Sequence, residues 1–453
     1  MNDPNRFDPA AFHTFRVGAR SFDDRTRTAS LGYAFDEGPA FVETITFETP
    51  TVSDLAVDAA TLERALLHLH IAAGTSYYKA AAPPTVVVDH GALSTADVAF
   101  HQHLYDDGLR EFAVANHLPV PRPVTVVPGS SGTGPAPSSR APGRGGLLVP
   151  IGGGKDSMVL IEALRPLAPR LFAVNPHPLV VELARQAGLE LVIVRRTLAP
   201  ELGVLNQAGA LNGHVPITAI VSLIAVVAAA LYGYDTIAMA IERSASEETV
   251  SVHGVPVNHQ YSKSLDFERL LSDLLATSVD PGLTYGSALR PFSELAIARA
   301  FATLTRYHAT FCSCNAVFRQ SAAAEDGWCG NCPKCRFVGL MLAPFMSRDA
   351  LSAVIGRDMF ADPDQIPGFA ALMSDEDKPF ECVGERRESA AAIRMLSELP
   401  AWRESAVVAS LSGPARAMVS GAEVTALLTP ADEMAFPDPE VSAAVDRFFS
   451  ALP

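Results

Sequence analysis

The sequence has little positive charge, and this shortage excludes a class of partner. Among 453 residues, 35 are Lys or Arg and 50 are Asp or Glu, which gives a net charge of −15. A broad surface for nucleic-acid phosphates is therefore not expected, and small anions would have to be bound by local groups. Charged residues make up 19% of the chain and hydrophobic residues 48%, as is typical of globular proteins. We expect no nucleic-acid partner.

Long apolar segments are also scarce. The first residues, Met1-Asn2-Asp3-Pro4-Asn5-Arg6, lack the apolar core of a secretory signal. The longest apolar run, residues 216–233, contains Thr218 and Ser222, has no flanking Lys or Arg, and is slightly short for a bilayer span. We interpret it as a buried helix and expect a cytoplasmic protein without a membrane partner, in which thiols stay reduced.

Composition divides the chain into four regions. Residues 1–127 combine alternating polar and apolar positions with helical patterns, which predicts a small α+β domain. Residues 128–146 are almost all Gly, Ser, Pro or Ala and predict a flexible linker. Residues 147–335 are expected to form a larger α/β domain, and residues 336–453 a mostly helical region. The oligomeric state is not indicated by the sequence.

Strand-like and helix-like segments alternate in the third region. The strand-like runs are residues 147–151, 171–174, 189–194 and 235–241. Strands separated by helices imply a parallel, doubly wound sheet with helices on both faces. Ligands of such sheets lie at the carboxyl ends of the strands, where we expect Asn175 and Arg195.

A glycine-rich loop directly follows the first of these strands. It consists of Gly152, Gly153, Gly154, Lys155, Asp156 and Ser157 and leads into a helical stretch. Glycines let backbone N–H groups approach an anion, and the start of a helix adds partial positive charge. Lys155 can neutralise phosphate oxygens, and Ser157 can donate a hydrogen bond. We predict a phosphate-binding loop; the alternative is an ordinary glycine turn.

The loop differs from the Walker A pattern. That pattern requires glycine where Val149 stands, and Ser or Thr where Asp156 stands. Gly-Gly-Lys-Asp-Ser after a strand instead resembles the PP-loop of the ATP pyrophosphatases, except that Gly152 stands where that family usually has Ser. The resemblance implies a protein that binds ATP with Mg²⁺, holds the departing pyrophosphate, and transfers AMP to a carboxylate or carbonyl oxygen.

The cysteines are concentrated in one segment. Five of the six cysteines are candidate metal ligands: Cys312, Cys314, Cys329, Cys332 and Cys335. The spacing of the last three lets their thiolates converge on one ion, and Cys312 or Cys314 would supply the fourth corner of a tetrahedron. Four thiolates leave no position open for a substrate, so we predict a structural zinc ion. An iron–sulfur cluster is the alternative.

Further polar side chains lie in strings that follow the loop. The candidates for substrate binding or catalysis are His214, Glu242, Arg243, Asn258, His259, Tyr261 and Lys263. Arg243 and Lys263 suit carboxylate or phosphate groups, because their positive charges strengthen hydrogen bonds to anions. His214 stands just before the buried helix and could instead cap it.

The order of these features resembles the MurL family, ATP-dependent epimerases of UDP-N-acetylmuramoyl-L-alanyl-L-glutamate. The similar strings are residues 74–79, 150–157, 213–216, 242–244, 258–263, the cysteine segment and 378–384. The resemblance implies that a small UDP-muramoyl dipeptide is activated as an acyl adenylate, which makes the glutamate Cα–H more acidic. AMP and pyrophosphate would be released.

This resemblance assigns a role to each candidate residue. The nucleotide would be bound by Gly152, Gly153, Gly154, Lys155, Asp156, Ser157 and Asn175. The UDP-muramoyl dipeptide would be bound by His214, Arg243, Asn258 and Lys263. Catalysis would involve Lys155, Asp156 and Ser157 in the loop and His259, Tyr261 and Glu242 in proton transfer.

Two other functions stay open at this point. One is a PP-loop enzyme similar to 7-cyano-7-deazaguanine synthase that forms an amide, a nitrile or a thiolated base. It would need an ammonia or sulfur donor, and no glutaminase-like segment is visible in the chain. The other is a module that binds a nucleotide without turnover. This function is compatible with Gly152, because the loop then lacks the Ser that is usual in PP-loops.

Overall fold

The computed structural model describes residues 7–48, 58–131, 145–317, 327–374, 379, 381, 383–431 and 434–452. Most of the predicted linker, residues 132–144, lies outside the described residues, as do residues 378, 380 and 382 of the string 378–384.

Ten strands of the described residues form one continuous sheet. They are β1 (Thr14–Asp23), β2 (Thr28–Phe35), β3 (Ala40–Phe47), β4 (Thr85–Leu93), β5 (Thr125–Ser131), β6 (Leu147–Pro150), β7 (Arg170–Val174), β8 (Leu191–Thr197), β9 (Thr236–Met239) and β12 (Thr284–Ser287). A separate antiparallel hairpin consists of β10 (Val250–Val252) and β11 (Val255–Val257). The order across the large sheet is β12-β9-β6-β7-β8-β3-β2-β1-β4-β5.

The helices fall into two groups along the chain. Those that precede residue 310 are α1 (Ala59–Ala73), α2 (Thr75–Tyr78), α3 (Thr95–Asp106), α4 (Arg110–Ala115), α5 (Lys155–Ala163), α6 (Pro178–Ala187), α7 (Glu201–Gln207), α8 (Ile217–Tyr232), α9 (Leu265–Leu274) and α10 (Glu294–Ala302). Those that follow are α11 (Pro333–Leu342), α12 (Arg348–Ile355), α13 (Ile366–Ala371), α14 (Arg386–Glu398), α15 (Ala406–Met418), α16 (Gly421–Leu427) and α17 (Pro439–Ser450). The described residues beyond 327 contribute no strand to either sheet.

Five strands at one end of the large sheet are parallel to their neighbours: β12, β9, β6, β7 and β8. In chain order β6 comes first, β7 and β8 extend the sheet to one side, and β9 and β12 extend it to the other. The direction of winding therefore reverses between β6 and β9, which makes this boundary a topological switch point. The prediction of an α/β protein with a large, mostly parallel sheet is confirmed.

Helices cover both faces of this parallel part. Leu148 on β6 and Ile237 on β9 lie in one hydrophobic core with α1 and α8, whereas Val149 and Ala238 lie in a second core with α5 and α10. Successive side chains of a strand point to opposite faces, so each of these strands contributes to both cores.

Helix α8 contains the longest apolar run. Leu223, Ile224 and Val227 are fully buried in it, and the helix ends at Gly233, whose φ of 79° gives the left-handed cap that glycine favours. The interpretation of this run as a buried helix is confirmed. In the part of the chain that was described, no helix has both the length and the apolar character needed to cross a membrane.

The N-terminal strands join the parallel strands through β3, which pairs antiparallel with β8. The buried ion pair between Glu43 Oε1 and Arg196 Nε, at 2.6 Å, crosses this junction. Pairing with β3 extends β8 to Thr197. The expectation that Arg195 lies at the end of its strand is therefore wrong; Arg195 lies within β8 and pairs with Glu48 at 2.9 Å.

Candidate active site

The carboxyl ends of β6 and β9 lie side by side at the switch point. After β6 the chain forms the glycine loop and enters α5, and after β9 it continues to Ile241 and Glu242. Both segments therefore leave the sheet at the same edge, where doubly wound proteins bind their ligands.

The geometry of the loop depends on glycine at two positions. Gly153 has a φ of 86°, which residues with a Cβ rarely adopt. Gly154 is the N-cap of α5, and no side chain caps this helix. A Cβ on Gly152 would meet no atom within 4 Å, so the loop has space for the Ser that is usual in PP-loops. The first N–H groups of α5 are suited to binding a phosphate.

Lys155 lies in a buried network of carboxylates. Its Nζ contacts Oδ1 of Asp156 and Oε2 of Glu294, and the side chains of Lys155 and Glu294 are only 2% and 4% exposed. Burial alone would lower the pKa of Lys155, but the two carboxylates outweigh burial and raise it. Lys155 therefore stays positively charged, and a phosphate that enters the loop would compete with these carboxylates for its ammonium group.

A further acidic side chain reaches this network from the helical region. Glu388, on α14, is fully buried, and neither of its carboxylate oxygens has a hydrogen-bond partner among the described residues. Burial raises the pKa of Glu388 well above its usual range, and Glu294, Glu385 and Glu242 add to the shift. Burial therefore favours the neutral, protonated form of Glu388.

The cysteine segment contacts the glycine loop directly. The backbone N–H of Cys312 donates to the carbonyl oxygen of Gly153 at 3.2 Å. A Cβ on Gly154 would lie 2.9 Å from Oγ of Ser313, so only glycine permits this approach without a shift. The position of the loop thus depends on the segment that carries the first two cysteines.

Four of the five candidate cysteines converge. The Sγ atoms of Cys314, Cys329, Cys332 and Cys335 all lie within 4.8 Å of one another. Sγ of Cys335 is 3.7 Å from that of Cys329 and 3.4 Å from that of Cys332. Zinc–sulfur bonds of about 2.3 Å put tetrahedral sulfurs about 3.8 Å apart, so this group fits one metal ion. Cys312 lies outside the group, and Cys314 supplies the fourth thiol.

A second cluster brings the two predicted histidines to a glutamate. Nδ1 of His259 contacts Oε2 of Glu111, and Nδ1 of His214 lies 4.0 Å from the same oxygen. The centres of the imidazole rings are 4.5 Å apart. Burial lowers the pKa of His214 to about 4, and His259, Lys263 and Lys79 contribute to the shift. His214 is therefore neutral at pH 7.

Hydrogen bonds hold the two lysines of this cluster. Nζ of Lys79 donates to Oδ1 of Asn212 at 2.5 Å and to the carbonyl oxygen of Gly213 at 3.3 Å. Nζ of Lys263 donates to Oε1 of Gln260 at 3.3 Å. The cluster thus combines one carboxylate and two imidazoles with two ammonium groups.

Three predicted residues line one cleft of about 950 Å³: Arg243, Asn258 and Tyr261. Arg290 also lines this cleft, and its guanidinium donates to the carbonyl oxygens of Glu242 and Lys263, each at 2.9 Å. One arginine therefore holds the segment that follows β9 against the segment that precedes α9.

The structure also shows the local surroundings of two other predicted site residues, Asn175 and His214. The Asn175 amide donates to the carbonyl oxygen of Arg196 at 2.7 Å and accepts from the backbone N–H of Arg196 at 2.9 Å, which fixes the residue after β7 against β8. His214 does not cap α8, because the N-cap is Pro216 and no side chain caps that helix.

Four residues of these clusters were missed by sequence reasoning: Lys79, Glu111, Glu294 and Glu388. Lys79 belongs to a polar string that was recognised but given no role. Glu294 follows Ser293, which caps α10, and Ser-Glu before an apolar run is also an ordinary helix start. Glu111 and Glu388 have no local signal, because only the fold brings them to their partners.

The fold defines an α/β protein with a large, mostly parallel sheet, and the glycine loop lies at its switch point. Comparison with known families is more specific. Residues 6–288 match the MurL N-terminal domain, and residues 310–425 match the MurL C-terminal domain. The chain belongs to the MurL family.

Three curated relatives are similar over most of their length, and each is named UDP-N-acetyl-alpha-D-muramoyl-L-alanyl-L-glutamate epimerase. The protein from Xanthomonas oryzae is 41% identical over 89% of this chain and 90% of its own. The protein from Salinispora tropica is 44% identical over 88% of both chains. The protein from a Micromonospora species is 43% identical over 88% of this chain and 90% of its own. No solved structure matches the chain.

Proposed function

We propose that this protein is an ATP-dependent epimerase that converts the terminal L-glutamate of UDP-N-acetylmuramoyl-L-alanyl-L-glutamate to D-glutamate during synthesis of the peptidoglycan precursor. The observation that carries the proposal is the identity of 41%, 44% and 43% to three proteins of that name. The substrate is a small anionic molecule, which agrees with the lysine and arginine side chains of the site.

The first step is activation of the glutamate by ATP on a PP-loop. An oxygen of the α-carboxylate attacks the α-phosphorus, the bond to the β-phosphate breaks, and pyrophosphate leaves. The position of the loop at the switch point supports this step, because the α5 amides and Lys155 can hold the leaving phosphates. Asp156 would hold Mg²⁺, which supplies further charge neutralisation to pyrophosphate.

The second step is inversion at Cα. The free carboxylate makes Cα–H a very weak acid, because deprotonation would add a second negative charge beside the first. Formation of the mixed anhydride with AMP removes that charge, and after inversion water would cleave the anhydride to release AMP and the free D-glutamyl carboxylate. Arg243, Asn258 and Lys263 would hold the substrate in or near the cleft. Burial raises the pKa of Tyr261, so its hydroxyl could only donate a proton.

The cysteine cluster would hold a structural zinc ion, bound by Cys314, Cys329, Cys332 and Cys335. The close sulfur spacing supports a single ion, because a four-iron cluster places a cube of iron and sulfide between its thiolates. Through Cys312 and Ser313 the bound ion would stabilise the glycine loop.

Incubation with the UDP-muramoyl dipeptide, ATP and Mg²⁺ in deuterated water tests the proposal. We expect D-glutamate after acid hydrolysis of the product, with deuterium at its Cα. We also expect one AMP and one pyrophosphate for each substrate molecule that is adenylated. Omission of ATP should abolish the deuterium signal. Release of ADP, or stimulation of AMP release only by an added ammonia or sulfur donor, would contradict it.

A further inference from the structure

We propose that Glu111, His214 and His259 form the proton-transfer centre, in which Glu111 is a positioning residue that orients His259 to remove the Cα proton. This inference rests on the proposed epimerase function and assigns the carbon chemistry to a cluster built partly by the N-terminal region. The glycine loop would then perform only the nucleotide chemistry.

The three side chains come from distant parts of the chain. Glu111 lies on α4, His214 precedes α8, and His259 follows the hairpin of β10 and β11. All three are partly buried, with side-chain exposures of 15%, 25% and 14%. The His259 backbone is also fixed, since its N–H donates to Oγ1 of Thr249 at 3.2 Å. Such an arrangement holds an imidazole in one orientation while solvent and substrate can still reach the cluster.

The contact between Glu111 and Nδ1 of His259 selects the chemistry of the ring. A carboxylate at Nδ1 favours the tautomer with its proton on that nitrogen, so Nε2 becomes the basic nitrogen. In the reaction, Nε2 would take the proton from Cα of the adenylated glutamate, and the C–H electron pair would move toward the acyl oxygen to give an enolate. Cα of the enolate would then accept a proton on its opposite face, and this proton comes ultimately from solvent water.

The other charges of the cluster agree with this role. Glu111 would stabilise the imidazolium that forms on His259. The positive charges of Lys79 and Lys263 act on the neighbouring His214 ring and would favour an enolate that forms beside it. A divalent metal ion could also bind two imidazoles and one carboxylate. The two ammonium groups disfavour that occupant, since they would repel a cation.

Two half-reactions measured on the same protein separate the roles. Pyrophosphate exchange into ATP, which needs substrate and the loop, reports adenylation, and deuterium incorporation at Cα reports proton transfer. In Glu111→Gln we expect deuterium incorporation to fall about 100-fold or more, with pyrophosphate exchange within about twofold of the unmodified protein. Glu111→Asp should recover part of the loss. Glu182→Gln, on the surface helix α6, is the matched control and should change neither.

Each outcome bears on a different claim. If the unmodified protein shows no pyrophosphate exchange, the proposed function itself fails. If exchange is present but Glu111→Gln and His259→Gln both incorporate deuterium normally, the proton-transfer assignment is wrong. Equal loss of both half-reactions in a folded Glu111→Gln protein would also overturn it. If mass spectrometry shows that the unmodified protein binds a second metal ion besides the proposed zinc ion, and that Glu111→Gln loses this second ion, the cluster of Glu111, His214 and His259 is a metal site instead.

Discussion

Replacement of Lys155 by methionine tests the buried network behind the glycine loop. The side chains of Lys155 and Glu294 are 2% and 4% exposed, so the variant leaves the Glu294 carboxylate buried without its nearest cation. Removal of one partner of a buried ion pair costs about 3–5 kcal/mol of folding free energy, most of it from the charge left behind. We expect a loss of this size at pH 8.5, together with loss of pyrophosphate release.

The loss should depend on pH in a defined direction. Burial already raises the pKa of Glu294 in the intact protein, while Lys155 opposes the shift. Without Lys155 the pKa rises further, so the folded variant binds a proton more tightly than the unfolded chain, whose value is about 4.3. The variant is therefore least destabilised below the unfolded pKa of about 4.3. Its stability falls progressively as the pH rises above that value, and the loss is complete once the pH has passed the folded pKa of Glu294.

Urea denaturation of the intact and variant proteins at pH 6 and pH 8.5 measures this difference. The variant should lose less at pH 6, and the double variant Lys155→Met with Glu294→Gln should recover much of the stability at pH 8.5 without recovering activity. A loss that is equal at the two pH values, with no recovery in the double variant, would refute the argument.

Three further outcomes follow from other buried contacts. Lowering the pH from 6.5 toward 5 should destabilise the protein in urea titrations. Burial lowers the pKa of His68 to about 4 and lowers the pKa of His101 well below its usual range, so the unfolded chain binds protons that the folded chain does not. Each such histidine costs about 1.4 kcal/mol per pH unit. Cys332→Ser should lose bound zinc by mass spectrometry, whereas Cys312→Ser should keep it. Arg290→Met should cost about 3–5 kcal/mol in the same titrations, because its carboxylate partner stays partly buried without it.

The parallel strands and their loop could be predicted because their signals are local. An apolar run before a glycine loop identifies β6, and the similar runs that follow identify β7, β8 and β9 to within a few residues. The end of β8 could not be found in this way. Its last residues pair with β3, which lies far away in the sequence, and the residues around Arg195 carry no local signal of this pairing.

The candidate site shows the same division between local and distant signals. Spacing alone could not choose between Cys312 and Cys314, because either thiol could reach the last three cysteines. Only the fold distinguishes them, since Sγ of Cys314 lies within 4.8 Å of the other three sulfurs and Cys312 lies outside that group. The histidines were found as members of polar strings. Glu111 was not, because a glutamate on a short surface helix is common and its contact with His259 exists only in the folded protein.

The pairing of β3 with β8 constrains how the chain is made. Glu43 and its partner Arg196 are 153 positions apart. During synthesis β3 therefore leaves the ribosome long before β8, and the two strands cannot pair until Arg196 has been added. At synthesis rates of about 5–20 residues per second, the outer edge of β3 stays bare for about 8–30 s. Bare strand edges recruit other chains, so a nascent chain of this protein needs shielding during that interval. Separate expression of residues 1–127 would make the exposure permanent and favour aggregation.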